Sequence, residues 1–143
     1  MDNLKLELEN RANGMQQLLQ DEGYGAKTPV WDDEYKTWDI RVNFEGMTML
    51  IMLDLEDPLY VSIVMPNFWR VETERLGAIM TALDHANKQA KGAKVYLSEG
   101  LDNSIAGMGF QYNGSGLDGR MLVRNLRMVA NVAKLYVDAI NDA

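Results

Sequence analysis

The chain has 143 residues, which is the size of one domain and enough to bury a core without disulfides or metals. Its 21 acidic and 14 basic side chains give a net charge of −7, which disfavours general binding to the phosphate backbone of nucleic acids. It contains no cysteine, which excludes disulfides and thiolate zinc sites.

Targeting and membrane signals are weak in this sequence. The first residues lack the basic and apolar regions of a signal peptide. The longest apolar run, Met47–Leu53 interrupted by Thr48, falls far short of the roughly 20 residues of a membrane helix. We therefore expect one cytoplasmic domain over residues 1–143, with no nucleic acid and no membrane among its partners.

The first half of the chain predicts one helix followed by strands. Apolar residues at three- and four-residue spacing predict a helix over about Asn3–Gln20, and a short edge strand follows over about Ala26–Trp31. Apolar and polar residues alternate over Trp38–Glu45, which predicts a strand with one buried face. Strands over Met47–Leu55 and Leu59–Met65 come next, and their connections are short enough to predict an antiparallel meander.

The second half predicts two helices around a pair of strands. Pro66–Trp69 is predicted as a break before a helix over about Glu72–Lys91. Strands over Ala93–Ser98 and Ser104–Tyr112 precede a last helix over about Leu117–Ile140. The order α-β-β-β-β-α-β-β-α predicts an α+β fold in which an antiparallel sheet packs with three helices.

The predicted second helix has a core stripe and an uncharged flank opposite it. The stripe that we assign to the core comprises Leu76, Ile79, Met80, Leu83, Ala86, Asn87 and Ala90. The opposite flank is small and uncharged, where a solvated face normally carries lysine and glutamate, and consists of Ala78, Thr81, Ala82, His85 and Gln89. This flank predicts a homodimer contact across a two-fold axis. The alternative is an exposed alanine-rich face that supports helix propensity.

Further apolar residues suggest contacts with a partner. The last helix is apolar over well over half its circumference, so its surplus must touch the first helix, another subunit or a ligand chain, unless it is simply the central core helix. Large apolar groups at the ends of strands or loops often mark partner contacts. The predicted partner-binding residues are Trp31, Phe68, Trp69, Met128 and Leu135. Packing over the sheet edge is the alternative for the three aromatic residues.

A glycine-rich segment resembles a dinucleotide-binding fingerprint. Gly114–Gly119 matches G-x-G-x-x-G between a predicted strand and a helix, and Asp138 follows about 20 residues later. Asp138 falls within the helical pattern, however, and no second parallel strand follows. We therefore interpret the segment as a turn, with Ser115 or Asp118 capping the last helix, and predict no cofactor.

The sequence offers no defensible catalytic or metal-binding constellation. His85 is the only histidine, and its neighbour Asp84 points elsewhere on a helix. The acidic clusters Asp32–Glu34 and Asp54–Asp57 lack the spacing of a calcium loop, so we interpret them as solvated turns. No catalytic residue and no metal ligand is predicted.

The order of elements resembles the YbjN family and the class I type III secretion chaperones. The segments that carry the resemblance are TWDIRVNFEGMTMLIMLDL, IMTALDHANKQAKGAKVYL and NLRMVANVAKLYVDAI. The resemblance implies a non-enzymatic protein, because YbjN relatives are described as candidate regulators. The secretion chaperones are homodimers that hold an extended client segment, and their second helix is prominent in the dimer contact.

The sequence thus predicts a protein-binding module, chaperone-like or regulatory, with a secretion-chaperone-like fold. Its predicted partners are a second copy of itself and an unidentified protein or peptide, held as an extended or amphipathic segment by apolar burial and main-chain pairing at a sheet edge. The alternatives are a small-ligand-binding domain and an enzyme that uses an Asp or Glu with His85 in a cleft.

Overall fold

The computed structural model of the protein describes residues 2–142. Its helices are α1 (Asp2–Asp21), α2 (Leu76–Gln89) and α3 (Gly119–Asn141). Its strands are β1 (Gly25–Ala26), β2 (Val30–Asp32), β3 (Thr37–Phe44), β4 (Met47–Asp54), β5 (Tyr60–Arg70), β6 (Lys94–Leu97) and β7 (Asn103–Gln111). The seven strands form one open antiparallel sheet in the order β1-β3-β4-β5-β7-β6, with β2 also paired to β3. The predicted α+β fold class is therefore confirmed.

The predicted edge strand Ala26–Trp31 is in fact two short strands. β1 and β2 both pair antiparallel with β3, at registers such as Ala26 opposite Val42 and Trp31 opposite Trp38. Pro29 lies between the two strands and has no N–H to donate to a ladder, which accounts for the interruption.

The predicted break at Pro66–Trp69 is wrong, because β5 continues through these residues to Arg70. Asn67 adopts a positive φ of 48°, a conformation that asparagine tolerates better than most residues. The sequence signal that predicted an end therefore marks a local irregularity within the strand. This continuation brings Phe68 and Trp69 onto the last part of β5.

The chain forms two compact units, residues 1–63 with 109–126 and residues 64–108 with 127–143. In the first unit, α1 packs on β3 through a buried line at helical spacing, Leu8, Ala12, Met15 and Leu19. β3 and β4 pair over eight residues each, and the Trp38 indole N–H donates to the Lys5 carbonyl at 2.9 Å.

The second unit contains α2, β6 and most of α3. α2 follows a 3-10 turn at Thr73–Arg75, and its buried residues are Ile79, Ala82 and Ala86. The Asn87 side chain joins α2 to β6: its amide N–H donates to the Val95 carbonyl at 3.0 Å, and its oxygen accepts from the Val95 N–H at 2.8 Å. The Asn87 side chain therefore holds α2 to β6 with the two hydrogen bonds that a neighbouring strand would otherwise form with Val95.

Most of the apolar surface of α3 is covered within the single chain. Its buried residues are Leu122, Leu126, Val129, Ala130, Val132, Ala133, Tyr136 and Ile140. Met121 remains 49% exposed at the start of the helix. This burial pattern matches the central core helix that was the simpler of the two sequence interpretations.

None of the helices in the described chain combines the length and apolar character that a membrane crossing requires.

Candidate functional site

An open pocket of about 280 Å³ lies in the second unit, where β5 ends and α2 begins. We call it the arginine pocket; it is lined by Phe68, Trp69, Arg70, Glu72, Arg75 and Ile79. The last three residues of β5 supply two aromatic rings and a guanidinium, the short segment leading into α2 supplies Glu72 and Arg75, and α2 itself supplies Ile79. The pocket thus combines an apolar wall with two cationic side chains.

The aromatic part of the pocket wall, Phe68 and Trp69, packs over the buried residues Tyr136 and Ser104 through the Phe68 ring. The Phe68 ring packs edge-on against Tyr136 of α3, with ring centroids 5.8 Å apart. The Tyr136 and Ser104 hydroxyls lie 2.6 Å apart in a hydrogen bond, and both residues are fully buried. Burial raises the pKa of the Tyr136 phenol, against the smaller opposing effect of the Ser104 hydrogen bond. The Phe68 ring therefore packs against a buried tyrosine whose phenol stays neutral.

The two arginines are held differently. Arg75 is half-buried, and its Nη2 donates to the Ile140 carbonyl near the end of α3 at 3.0 Å. Arg70 is exposed at the end of β5. The Ser98 hydroxyl lowers the pKa of nearby Asp102 by donating to it, and the charge of Arg70 adds a smaller effect in the same direction. Within residues 2–142, no carboxylate forms an ion pair with either guanidinium.

The structure brings together two of the five predicted partner-binding residues. Phe68 and Trp69 are half-buried and adjacent in the arginine pocket. Met128 and Leu135 are half-buried on α3 and are not among the residues that line it. Met128 packs over the turn at Gly92, where an added Cβ would lie 2.9 Å from its sulfur.

Trp31 lies apart from this group, in the first unit. Its ring packs against Trp38 with centroids 5.4 Å apart, and the Lys5 ammonium lies 4.4 Å from its centroid. Its indole N–H donates to Asp33 at 3.3 Å. These contacts match the alternative interpretation, in which Trp31 packs over the sheet edge.

The predicted assignment of the two sides of α2 is partly wrong. Ala82, placed on the outer flank, is only 2% exposed, whereas Leu76 and Met80, placed in the core, are 40% and 53% exposed. The small side chain of Ala82 lies on the inner side of the helix with Ala86, which was correctly assigned to the core. Of the rest of the flank, Ala78 is half-buried and Thr81, His85 and Gln89 are exposed.

The glycine-rich segment forms a capped turn, as predicted. Asp118 Oδ1 accepts the Met121 N–H at 2.8 Å, so Asp118 rather than Ser115 caps α3. Gly114 and Gly116 have positive φ. A carboxylate of the chain therefore already occupies the start of α3, where a dinucleotide would place its pyrophosphate.

The acidic clusters are engaged within their own turns. Asp32 Oδ1 accepts the backbone N–H groups of Glu34 and Tyr35 at 3.0 Å each, and Asp54 Oδ1 accepts that of Glu56 at 2.8 Å. Over residues 2–142, no group of three or more histidine or acidic side chains is arranged to hold a metal ion.

Arg70 and Arg75 were not predicted from the sequence. Phe68 and Trp69 were predicted as partner-binding residues because they are large apolar residues at a predicted break, and no role was predicted for the arginines that follow them. No local sequence signal marks them, because their place in the pocket depends on β5 continuing through Pro66 and on the contact between Arg75 and Ile140.

Two solved structures share this architecture. An uncharacterised protein from Methanothermobacter thermautotrophicus matches with a TM-score of 0.67 and 14% identity, over 92% of this chain and 97% of that one. YbjN from E. coli, described as a candidate transcription regulator, matches with a TM-score of 0.55 and 16% identity, over 89% of both chains. The chain has the fold of YbjN.

At these identities the likeness shows the fold alone. The resemblance to YbjN predicted from the sequence is therefore confirmed for the fold, and the resemblance to secretion chaperones stays a prediction. No family model and no curated protein matches the sequence.

Proposed function

We propose that this protein is a non-enzymatic, cytoplasmic protein-binding module, chaperone-like or regulatory, that captures an extended or amphipathic segment of a partner in the arginine pocket. The observation that carries the proposal is the placement of Phe68 and Trp69 in the wall of an open pocket. Aromatic side chains in such positions supply much of the affinity of protein interfaces. The packing of Phe68 on Tyr136 supports the proposal further, because a rigid wall loses little entropy on binding.

The position of His85 favours binding over catalysis. An enzyme built on His85 needs a carboxylate and a substrate cleft around that side chain. His85 is exposed on α2 and does not line the arginine pocket. The arginine pocket therefore supports binding without a role for His85.

Peptide selection tests the proposal directly. A random seven-residue peptide library is panned against the wild-type chain, and the selected peptides are then titrated against Trp69→Ala. The matched control is Tyr35→Ala, which removes an aromatic ring that is 68% exposed and lies outside the pocket. We expect at least about tenfold weaker binding to Trp69→Ala and unchanged binding to Tyr35→Ala.

Two results would overturn this proposal. A selection that enriches no peptide argues against capture of a peptide segment. Selected peptides that bind Trp69→Ala as tightly as the wild type place the binding surface elsewhere.

The proposal includes a homodimer formed through the exposed flank of α2, at Thr81, His85 and Gln89. These side chains are exposed and four residues apart on α2, and none of them is a carboxylate, lysine or arginine, which supports a self-complementary contact. Ala82 is excluded from this contact because it is buried.

Light scattering coupled to size exclusion measures this directly. We expect the wild type to run at twice the 16.2 kDa mass of one chain and His85→Glu to run as a monomer. Asn131→Glu adds the same charge at an exposed position on α3 and should stay dimeric. A monomeric wild type would contradict the dimer.

A further inference from the structure

The arginine pocket concentrates positive charge in an acidic protein. The chain has 21 acidic and 14 basic side chains. Four of the basic side chains form ion pairs with acids three or four residues away, namely Arg11, Lys36, Lys88 and Lys134. Arg70 and Arg75 line one pocket and have no such partner among the described residues. Asp102 interacts with Arg70 through its charge but is not among the residues that line the pocket, so the two guanidinium groups favour an anion there.

The guanidinium of Arg75 is oriented before any ligand arrives. Its Nη2 donates to the Ile140 carbonyl at 3.0 Å, which fixes the side chain through one of five N–H donors. The remaining donors are available to an acceptor, and a planar guanidinium fits a carboxylate with two parallel hydrogen bonds. Arg70, at the end of β5, brings the second guanidinium to the same pocket.

The charge and size of the pocket select the kind of anion. Two arginines and one glutamate, Glu72, leave a single net positive charge in its lining. This balance suits a carboxylate, which carries one negative charge, better than a phosphate group with nearly two. The volume of about 280 Å³ lies just below the range of about 300–1,000 Å³ typical of pockets for drug-sized ligands, and it suits one or two side chains.

The apolar wall requires a second feature in the ligand. Phe68, Trp69 and Ile79 line the pocket beside the arginines, so a ligand that fills it presents an apolar group next to its carboxylate. In an extended peptide, side chains two positions apart point to the same face and lie about 6.6 Å from each other. Aspartate or glutamate two positions from an aromatic or large aliphatic residue meets both requirements.

We infer that the arginine pocket recognises an extended partner segment in which an acidic residue lies two positions from a large apolar one, with the carboxylate held by Arg70 and Arg75 and the apolar side chain against Phe68 and Trp69. This inference rests on the proposed function and names the chemistry of its partner. Charge complementarity supports a peptide from an acidic-apolar segment as the occupant.

A matched pair of peptides tests the inference. One seven-residue peptide carries phenylalanine and glutamate two positions apart between serines and glycines, and the other carries glutamine in place of glutamate. Both are titrated against the wild type, Arg70→Gln and Arg75→Gln. The control is Arg124→Gln, which makes the same charge change at an exposed position of α3 outside the pocket.

We expect the glutamate peptide to bind the wild type and Arg124→Gln at least about tenfold more tightly than the glutamine peptide. This preference should disappear in Arg70→Gln, which alters an exposed side chain and should leave the fold intact. It should also weaken as the salt concentration rises, because salt screens partly exposed charges.

Several results would overturn the inference. Equal binding of the two peptides to the wild type, together with weaker binding of both to Trp69→Ala, rejects the acidic partner and leaves the proposed function standing. A glutamate preference that persists in both pocket variants places its recognition elsewhere. If neither peptide binds, the inference fails, and the library selection decides the proposed function independently.

A small carboxylic acid is the competing occupant. Phenylacetate offers the same ring and charge without a main chain, and its binding is followed by NMR titration of the Trp69 indole. Phenylacetate that binds as tightly as the glutamate peptide would make the pocket a small-acid site and overturn the inference.

Discussion

The Tyr136 hydroxyl is buried beneath the aromatic wall of the arginine pocket and bonds to Ser104 at 2.6 Å. Tyr136→Phe keeps the ring that supports Phe68 and removes this hydrogen bond, so the buried Ser104 hydroxyl loses its partner. We expect a loss of about 1–3 kcal/mol in the free energy of unfolding, measured by urea denaturation. Adding Ser104→Ala should recover part of it, because no buried hydroxyl is then left unsatisfied.

Tyr35→Phe is the control for this substitution, because its ring is 68% exposed and the change should stay within about 0.5 kcal/mol. A Tyr136→Phe variant as stable as the wild type would show that the hydroxyl pair contributes nothing net.

The fold shifts the pKa values of two carboxyl groups in the first unit in opposite directions. Burial raises the pKa of half-buried Asp39, with a smaller contribution from nearby Asp32 and an opposing hydrogen bond from Thr37. The fold therefore penalises its charged form, and the penalty appears as pH rises through the ordinary value of 3.8 toward the folded pKa. Asp39→Asn should stabilise the protein at neutral pH, with the gain fading in acid.

Asp33 provides the matched comparison. Its hydrogen bond from Lys36 at 3.0 Å, with smaller effects including one from Trp31, lowers its pKa, so its charged form stabilises the fold above the ordinary value. Asp33→Asn should slightly destabilise at neutral pH, and this difference should also vanish as pH falls through the folded pKa. Thermal unfolding from pH 3 to 7 measures both, and the same sign for the two variants would contradict this assignment.

At the scale of elements, Asn87 links α2 to β6 and also covers a sheet edge. The Val95 N–H and carbonyl bond to the Asn87 side chain, so they point away from β7 and toward the open side of β6. Unpaired edge groups invite pairing with another chain, and a side chain that occupies them blocks it. The predicted main-chain pairing at a sheet edge is therefore obstructed at this position of β6.

Asn87→Ala removes both hydrogen bonds and should cost about 1–3 kcal/mol in the free energy of unfolding. The Val95 amide should lose protection from hydrogen exchange, and the freed edge should promote self-association. Asn131→Ala, which removes an exposed asparagine of α3 outside the proposed dimer contact, is the control and should stay within about 0.5 kcal/mol. An unchanged Val95 exchange rate in Asn87→Ala would contradict this role.

The elements themselves were largely predictable, because hydrophobic periodicity reports which faces are buried. The apolar spacing of α1 predicted a helix, and Leu8, Met15 and Leu19 of that spacing are buried, whereas Leu4 and Leu18 are half-buried. The face of α2 was not predictable in this way. Ala82 is buried although its small side chain suggested the outer flank, and Met80 is exposed although its large apolar side chain suggested the core.

At the scale of the whole molecule, the order of elements predicted the fold class but not the arginine pocket. The pocket depends on β5 continuing past Pro66, and on Arg75 reaching the Ile140 carbonyl 65 positions along the chain. Neither feature has a local sequence signal, because proline usually ends a strand and the second is a tertiary contact. The two aromatic residues were predicted from their size, and their cationic neighbours required the structure.

The single domain predicted from the sequence has a consequence for unfolding. β5, β7 and α3 each run through both compact units, so unfolding one unit disrupts elements that the other needs. We therefore expect one cooperative transition. Leu8→Ala opens a cavity in the core of the first unit and should cost about 2–5 kcal/mol.

The tryptophans provide a probe for each unit, because Trp31 and Trp38 lie in the first unit and Trp69 in the second. In a Trp31→Phe, Trp38→Phe background, Trp69 fluorescence reports the second unit alone. We expect Leu8→Ala to shift the urea midpoint seen by Trp69 as far as the midpoint seen by far-UV circular dichroism, since one transition moves both.

Trp69→Phe in the otherwise native chain is the converse control, leaving probes in the first unit only. A Trp69 midpoint that stays in place while the first-unit midpoint falls would mean that the two units unfold independently, and the prediction of a single domain would be wrong.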